Sequence, residues 1–116
     1  MAIASGSSRR EVNEAVDGLG LRQHFKALLG AEDYAPGKPD PAPYLAAMKA
    51  LDVPASGCVV IEDALPGVRS GRAAGALVIG VQAGNFAGYD LSEADVVVPT
   101  LEEITDALFD RLLRLR

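Results

Sequence analysis

The sequence predicts an α/β domain built on a parallel sheet with helices packed against it. Three observations carry that prediction. Short apolar runs rich in β-branched residues stand at 58–61 and 77–81, and the segment 94–98 holds a third. They lack the polar/apolar alternation of a half-exposed strand, as strands buried on both faces do. Amphipathic stretches separate them, and strands alternating with helices read as parallel crossover units.

The elements follow in order along the chain. Ala2 to Ser5 is a very short strand, ended by Gly6-Ser7-Ser8. Glu11 to Leu19 reads as a helix closed by Gly18 and Gly20, and Leu21 to Leu28 as a second, short helix with Leu21, Phe25 and Leu28 on one face. Pro36, Pro39 and Pro41 fix φ and remove donors, so the segment from 35 to 41 is a loop. Pro43 to Leu51 resumes a helix with Leu45, Met48 and Leu51 on one side. After the strand at Cys58–Ile61, Pro66 to Ala74 is a helix stopped by Gly75. Strands at Leu77–Val81 and within Ala94–Val98 come next. Leu101 to Leu115 closes the chain as an amphipathic helix, with Ile104, Leu108, Leu112 and Leu115 on one stripe. Glu102 and Glu103 fall in its first turn, and Arg111, Arg114 and Arg116 in its last ones, as the helix dipole favours.

Composition narrows the function classes. At 116 residues the chain suits one domain, and 49% hydrophobic against 23% charged residues is a globular balance. Sixteen acidic against eleven basic residues give a net charge of −5, without the basic footprint that nucleic-acid binding needs. One cysteine and one histidine exclude a disulfide framework and a Cys/His zinc site. No apolar run reaches the roughly 20 residues of a membrane span. A cytoplasmic protein is the expectation. His24 and Cys58 read as a solvated residue and a small hydrophobe.

Three polar clusters lie where strands end or loops meet helices, the places where such sheets bind ligands. Ser5-Gly6-Ser7-Ser8-Arg9 offers a hydroxyl and backbone N–H groups at a helix N-terminus, suited either to phosphate or simply to capping. Gly37-Lys38-Pro39-Asp40-Pro41 holds a lysine on a stiffened backbone, where it could be aimed at a phosphoryl group or stand exposed, with Asp40 capping the next helix. In Val60-Ile61-Glu62-Asp63, two adjacent carboxylates at the end of a buried strand require a cation or donors, and oxygen ligands of this kind suit Mg²⁺. The alternative is that Asp63 caps the helix near Pro66.

In this order the clusters, with Gly67, Ala73-Ala74-Gly75-Ala76 and Val78-Ile79-Gly80-Val81, resemble the haloacid dehalogenase-like hydrolases. The likeness is to the subgroup of β-phosphoglucomutase and phosphoglycolate phosphatase, and it spans nearly the whole chain. It implies a Rossmann-like core in which Ser5 binds the transferring phosphoryl group, helped by the Gly6 N–H, and Lys38 neutralises phosphate and nucleophile. Asp63, with Glu62, would hold Mg²⁺ directly or through water. The implied activity is that of a phosphatase or phosphomutase acting on a small phosphorylated metabolite. The acidic pair makes a carbon–halogen substrate less fitting.

The resemblance also shows what these residues lack. The family's nucleophile is the first aspartate of an Asp-x-Asp motif, and no Asp-x-Asp occurs in this sequence. Residues 1–116 are therefore expected to be the C-terminal part of the core, without a cap domain and without a central first strand between Ala2–Ser5 and Cys58–Ile61. Those two strands must then pair directly or leave open edges that invite self-association or pairing with an N-terminal segment. A catalytically inactive phosphate-binding module is the alternative function. A nucleotide-binding Rossmann domain is disfavoured by the lack of a Gly-x-Gly-x-x-Gly loop.

Overall fold

A computed structural model describes residues 1–114. Its strands are β1 (Ala2–Ala4), β2 (Ala27–Leu29), β3 (Val59–Glu62), β4 (Leu77–Val81) and β5 (Val96–Val98). Its α-helices are α1 (Arg9–Gly18), α2 (Ala42–Leu51), α3 (Leu65–Ala73) and α4 (Asp106–Leu113). All strand pairs are parallel, and the described residues form two sheets, ordered β1-β2 and β3-β4-β5. The α/β class with helix-flanked parallel strands is as the sequence predicts.

β4 explains the apolar run at 77–81, because all five of its residues are buried. Leu77, Ile79 and Val81 pack with Leu108 and Leu112 of α4 on one face of the sheet. Val78 points the other way, into a cluster with Val60, Val68 of α3 and Met48 of α2. A central parallel strand covered by helices on both sides has no use for a polar face. Gly75, at φ +88°, ends the third helix in the left-handed conformation expected of it.

Four sequence expectations are corrected. Leu21–Leu28 is not a helix: Arg22–His24 makes a single 3-10 turn and Ala27–Leu29 is β2. Three apolar residues at helical spacing are too few to nucleate a helix alone, while β1 offers a ladder for pairing. The chain takes that ladder, with Lys26 N donating to Met1 O at 2.8 Å and Ser5 N to Leu29 O at 3.0 Å. In α2 the packed side is Ala47 and Met48 with half-buried Tyr44 and Leu51, so Leu45 points outward at 49% exposure. The last helix begins later than Leu101, because the Thr105 hydroxyl caps it by accepting from Leu108 N at 3.2 Å. Glu102 and Glu103 lie in a preceding 3-10 turn. Leu115 and Arg116 lie outside the described residues.

The fourth correction concerns β3, expected to be buried on both faces. Ile61 is 44% exposed, because the edge of β3 away from β4 carries no strand among the described residues. β1 likewise pairs with β2 alone among them. A groove of about 760 Å³ runs between the two edges, lined by Ile3 and Ala4 on one side and Val59 and Ile61 on the other. Of the two anticipated arrangements, the structure has open edges.

Candidate active site

The polar residues of the three clusters meet at the carboxyl ends of β1 and β3. Ser5 follows β1, Glu62 ends β3, Asp63 comes next, and Lys38 reaches in from the proline loop. That loop is fixed at Asp40, two residues beyond the lysine. Asp40 Oδ1 accepts from Ala42 N at 2.9 Å, and the fully buried Ser70 of α3 donates its hydroxyl to Asp40 O at 2.7 Å. Asp40 thus serves the start of α2, as one sequence reading had it.

Lys38 joins the two sheets. Its Nζ donates to Ala4 O at 3.1 Å and to Glu62 Oε1 at 2.5 Å, and it stands 5.0 Å from the centre of the Tyr44 ring. The Lys38 and Glu62 side chains are only 22% and 9% exposed. The pair is therefore screened far less than a surface ion pair. An ammonium has three N–H groups, so one remains for a further acceptor. Lys38 is thus held by named acceptors and does not stand exposed on the loop.

Glu62 is held from three directions. Lys38 and the Tyr44 hydroxyl both donate to Oε1. A methyl group on Gly67 would fall 2.0–2.3 Å from the carboxylate atoms, so the first turn of α3 packs directly on them. Burial, and then the charge of Glu62, push the Tyr44 phenol far above its ordinary pKa, so it keeps the proton that it donates to Glu62. Asp63 is different. It is exposed, and its carboxylate has no hydrogen-bond partner among the described residues. The N-cap position of α3 belongs to Ala64, without a side-chain cap, so the capping alternative for Asp63 fails. Gly84, just after β4, lies so close that a Cβ there would come 2.1 Å from Asp63 Oδ2.

At Ser5 the structure separates the two sequence readings. The first turn of α1 is committed to capping: Glu11 N donates to Ser8 Oγ, Ser8 N to Glu11 Oε1, and Arg9 N to Glu32 Oε1 at 2.7 Å. Those amides are not available to an anion. Ahead of them, Ser5 Oγ accepts from Ser7 N at 3.1 Å, and Gly6 N has no acceptor among the described residues. The Tyr34 hydroxyl donates to Ser5 O at 2.5 Å and fixes this turn against the loop that follows β2. Burial, and then Asp33, raise the Tyr34 pKa.

Ser5, Gly6, Lys38, Glu62 and Asp63 thus share one end of the fold. Sequence reading missed Tyr34, Tyr44 and Gly84. A phenol whose ring is packed needs a partner for its hydroxyl, and that rule could have flagged Tyr44 on the inner face of α2. His24 takes no part; it is exposed, its ring 3.4 Å from Gln23. Among the described residues no three Asp, Glu, His or Cys side chains converge on a metal-sized point. A single open carboxylate beside a partly committed one is still a suitable donor set for a hydrated hard cation, which keeps waters and takes one or two carboxylates.

Comparison with known proteins bears on this geometry. A family model of haloacid dehalogenase-like hydrolases matches residues 1–75. The bifunctional riboflavin kinase/FMN phosphatase of Arabidopsis thaliana is 35% identical over 105 residues, covering 90% of this chain and 28% of that protein. The β-phosphoglucomutase of Bacillus subtilis is 33% identical over 103 residues, covering 89% and 44%. The crystal structure of CbbY from Rhodobacter sphaeroides in complex with phosphate superposes with a TM-score of 0.80 at 28% identity, covering 88% of this chain and 47% of that one. The chain therefore spans less than half the length of each of these proteins. With the matched core, the parallel strands and the clustered Ser5, Lys38 and acidic pair, the chain belongs to the haloacid dehalogenase-like hydrolases.

Proposed function

We propose that this chain is the C-terminal part of the core of a Mg²⁺-dependent phosphatase or phosphomutase, acting on a small phosphorylated metabolite through an aspartyl-phosphate. One observation carries the reading. Lys38 is held at the end of β1 with an N–H to spare, beside the Ser5 hydroxyl and the unaccepted Gly6 N–H. Phosphoryl transfer depends mainly on positioning and on offsetting negative charge, and these three donors supply both. Relatives named as phosphatases and as β-phosphoglucomutase support the same reaction class.

In this reading Ser5 and Gly6 bind the phosphoryl oxygens, and Lys38 neutralises the phosphate and the nucleophile. Asp63 would hold Mg²⁺, with Glu62 contributing through its second oxygen or a water. Bound Mg²⁺ supplies charge neutralisation and orientation of the phosphoryl group. The nucleophilic aspartate comes from outside these residues, on an extended N-terminal segment that fills the groove between β1 and β3. A second copy of the chain is the competing occupant. The net charge of −5 supports a small substrate over nucleic acid. No described helix is long and apolar enough to cross a membrane, and a sequence with one cysteine, too few for an internal disulfide, supports a cytoplasmic setting.

The test is hydrolysis of p-nitrophenyl phosphate with Mg²⁺, by the chain alone and by the chain joined to an N-terminal segment bearing Asp-x-Asp. The chain alone should be inert and the joined form active. In the joined form Lys38→Ala and Asp63→Ala should each cost about 10²-fold or more in kcat. Turnover by the chain alone that both substitutions abolish would mean that another group is the nucleophile. Phosphate binding without turnover in either form would instead make it an inactive phosphate-binding module.

A further inference from the structure

We propose that Tyr44 is the positioning residue of Lys38: its hydroxyl pins Glu62 Oε1 while its ring lies beneath the ammonium, so the cation stays at the end of β1. The importance of this for catalysis rests on the phosphoryl-transfer reading above; the contact itself does not.

A lone lysine is poorly ordered. Four methylene groups carry the ammonium, and ordering them costs rotamer entropy that one hydrogen bond barely offsets. Lys38 is ordered through its acceptors, and the charged one is Glu62 Oε1. A glutamate has the same difficulty, because its carboxylate can swing unless it is held. Here two groups hold it. The backbone at Gly67 stands where a methyl group would strike the carboxylate, and the Tyr44 hydroxyl donates to the oxygen that Lys38 uses. Tyr44 is itself well placed to be rigid. It sits on the inner face of α2 between Pro43 and Ala47, both buried, and that helix rests on β1, β2 and α3. Its ring then meets Lys38 at 5.0 Å, within the range of a cation–π contact. One side chain therefore fixes the acceptor and supports the donor.

A purely space-filling role would be met equally well by phenylalanine, which keeps the ring and the packing. The hydroxyl is what the proposal needs. Without it, Glu62 loses the donor that opposes Gly67, and the lysine loses a stationary acceptor while keeping the ring.

The experiment reads the lysine directly. Side-chain ammonium ¹H–¹⁵N spectra are recorded on the 116-residue chain, in which Lys26, Lys38 and Lys49 are the only lysines. In the wild type, hydrogen exchange of the Lys38 ammonium should be about tenfold or more slower than that of the exposed Lys49, as expected for a group held by a charged acceptor. Tyr44→Phe should remove most of that difference while leaving the melting temperature and the backbone spectrum unchanged. In a Glu62→Gln background, Tyr44→Phe should have no further effect, because the hydroxyl acts through the carboxylate. Unaltered Lys38 exchange in Tyr44→Phe would overturn the proposal, and so would an equal effect with and without Glu62.

Titration with inorganic phosphate separates this inference from the functional reading. Tyr44→Phe should weaken phosphate binding several-fold, with full recovery only on restoring tyrosine. If the wild-type chain binds no phosphate, the phosphoryl-binding reading fails while the ammonium spectra still decide the role of Tyr44.

Discussion

Asp63 and Glu62 are neighbours in sequence but opposites in environment. Glu62 is mostly buried and takes two donors on one oxygen, whereas Asp63 is exposed and faces the backbone of Gly84. That closeness makes Gly84 a sensitive position without any chemistry of its own. A methyl group 2.1 Å from Asp63 Oδ2 cannot be accommodated, so either the carboxylate or the turn after β4 must move. Gly84→Ala should weaken Mg²⁺ binding about tenfold and leave phosphate binding near normal, since misplacing one group by about 1 Å is costly to a positioned site. Parallel titrations with MgCl₂ and with phosphate would check this, and an equal loss of both would point to general disruption instead. At this scale the sequence was informative about charged groups and silent about their supports. Lys38 and the acidic pair stand out because such residues are expensive where apolar strands end. Nothing in a bare sequence shows that a tyrosine six positions after Lys38 will share an oxygen with it.

The junction of α1 with the end of β2 shows what elements do to one another. Arg9 pairs with Asp33 at 2.6 Å, Asp33 Oδ2 accepts from Gly30 N at 2.8 Å, and Glu32 accepts from Arg9 N. The Arg9 side chain, then the Gly30 amide, lower the Asp33 pKa below its ordinary 3.8, and the Arg9 amide lowers that of Glu32 below 4.5. A carboxyl group with a lower pKa in the folded state than in the unfolded one favours folding above the unfolded value. That advantage disappears as pH falls through the folded value. Asp33→Asn should therefore lower the melting temperature near pH 7 and change it much less in acid, which flattens its fall below about pH 4. Thermal unfolding at a series of pH values measures it directly. This junction also explains why β2 was illegible in the sequence. Its three residues owe their extended form to β1 and to the 31–33 turn, and such long-range pairing leaves no mark in local periodicity. β4 was legible because burial on both faces demands an unbroken apolar run, and α3 because Pro66 and Gly75 mark its ends. The last helix was half legible: Leu108 and Leu112 kept their predicted stripe, but the Thr105 cap was hidden inside a longer pattern.

On the scale of the whole molecule, fully or nearly buried side chains are unevenly shared. Ile79, Val78, Val68 and Leu112 belong to the second sheet and its helices, and Leu91 to the connection from β4 to β5. Around the first sheet the buried apolar side chains are Val12 and Val16 of α1, with Pro43, Ala47 and Met48 of α2, and Met48 is shared with the cluster around Val78. No strand joins β1 to β3 among the described residues, so the first sheet is tied to the rest through α2, the Ser70–Asp40 bond and Lys38. Native proteins open locally where apolar burial is thin and ladders are short. Amide hydrogen exchange should show it: Val78, Ile79 and Val81 should be protected to the level of global unfolding. Ile3, Leu28 and Leu29 should exchange about tenfold or more faster, through a partial opening that leaves the second sheet intact. Uniform protection across both sheets would contradict this. The part that yields first carries Ser5 and Gly6, whereas Glu62 and Asp63 stand on the part that persists. Grip on an anion and grip on a cation are thereby assigned to regions of unequal permanence. Whatever fills the groove would even out that difference, making completion of the fold and constancy of the site a single event.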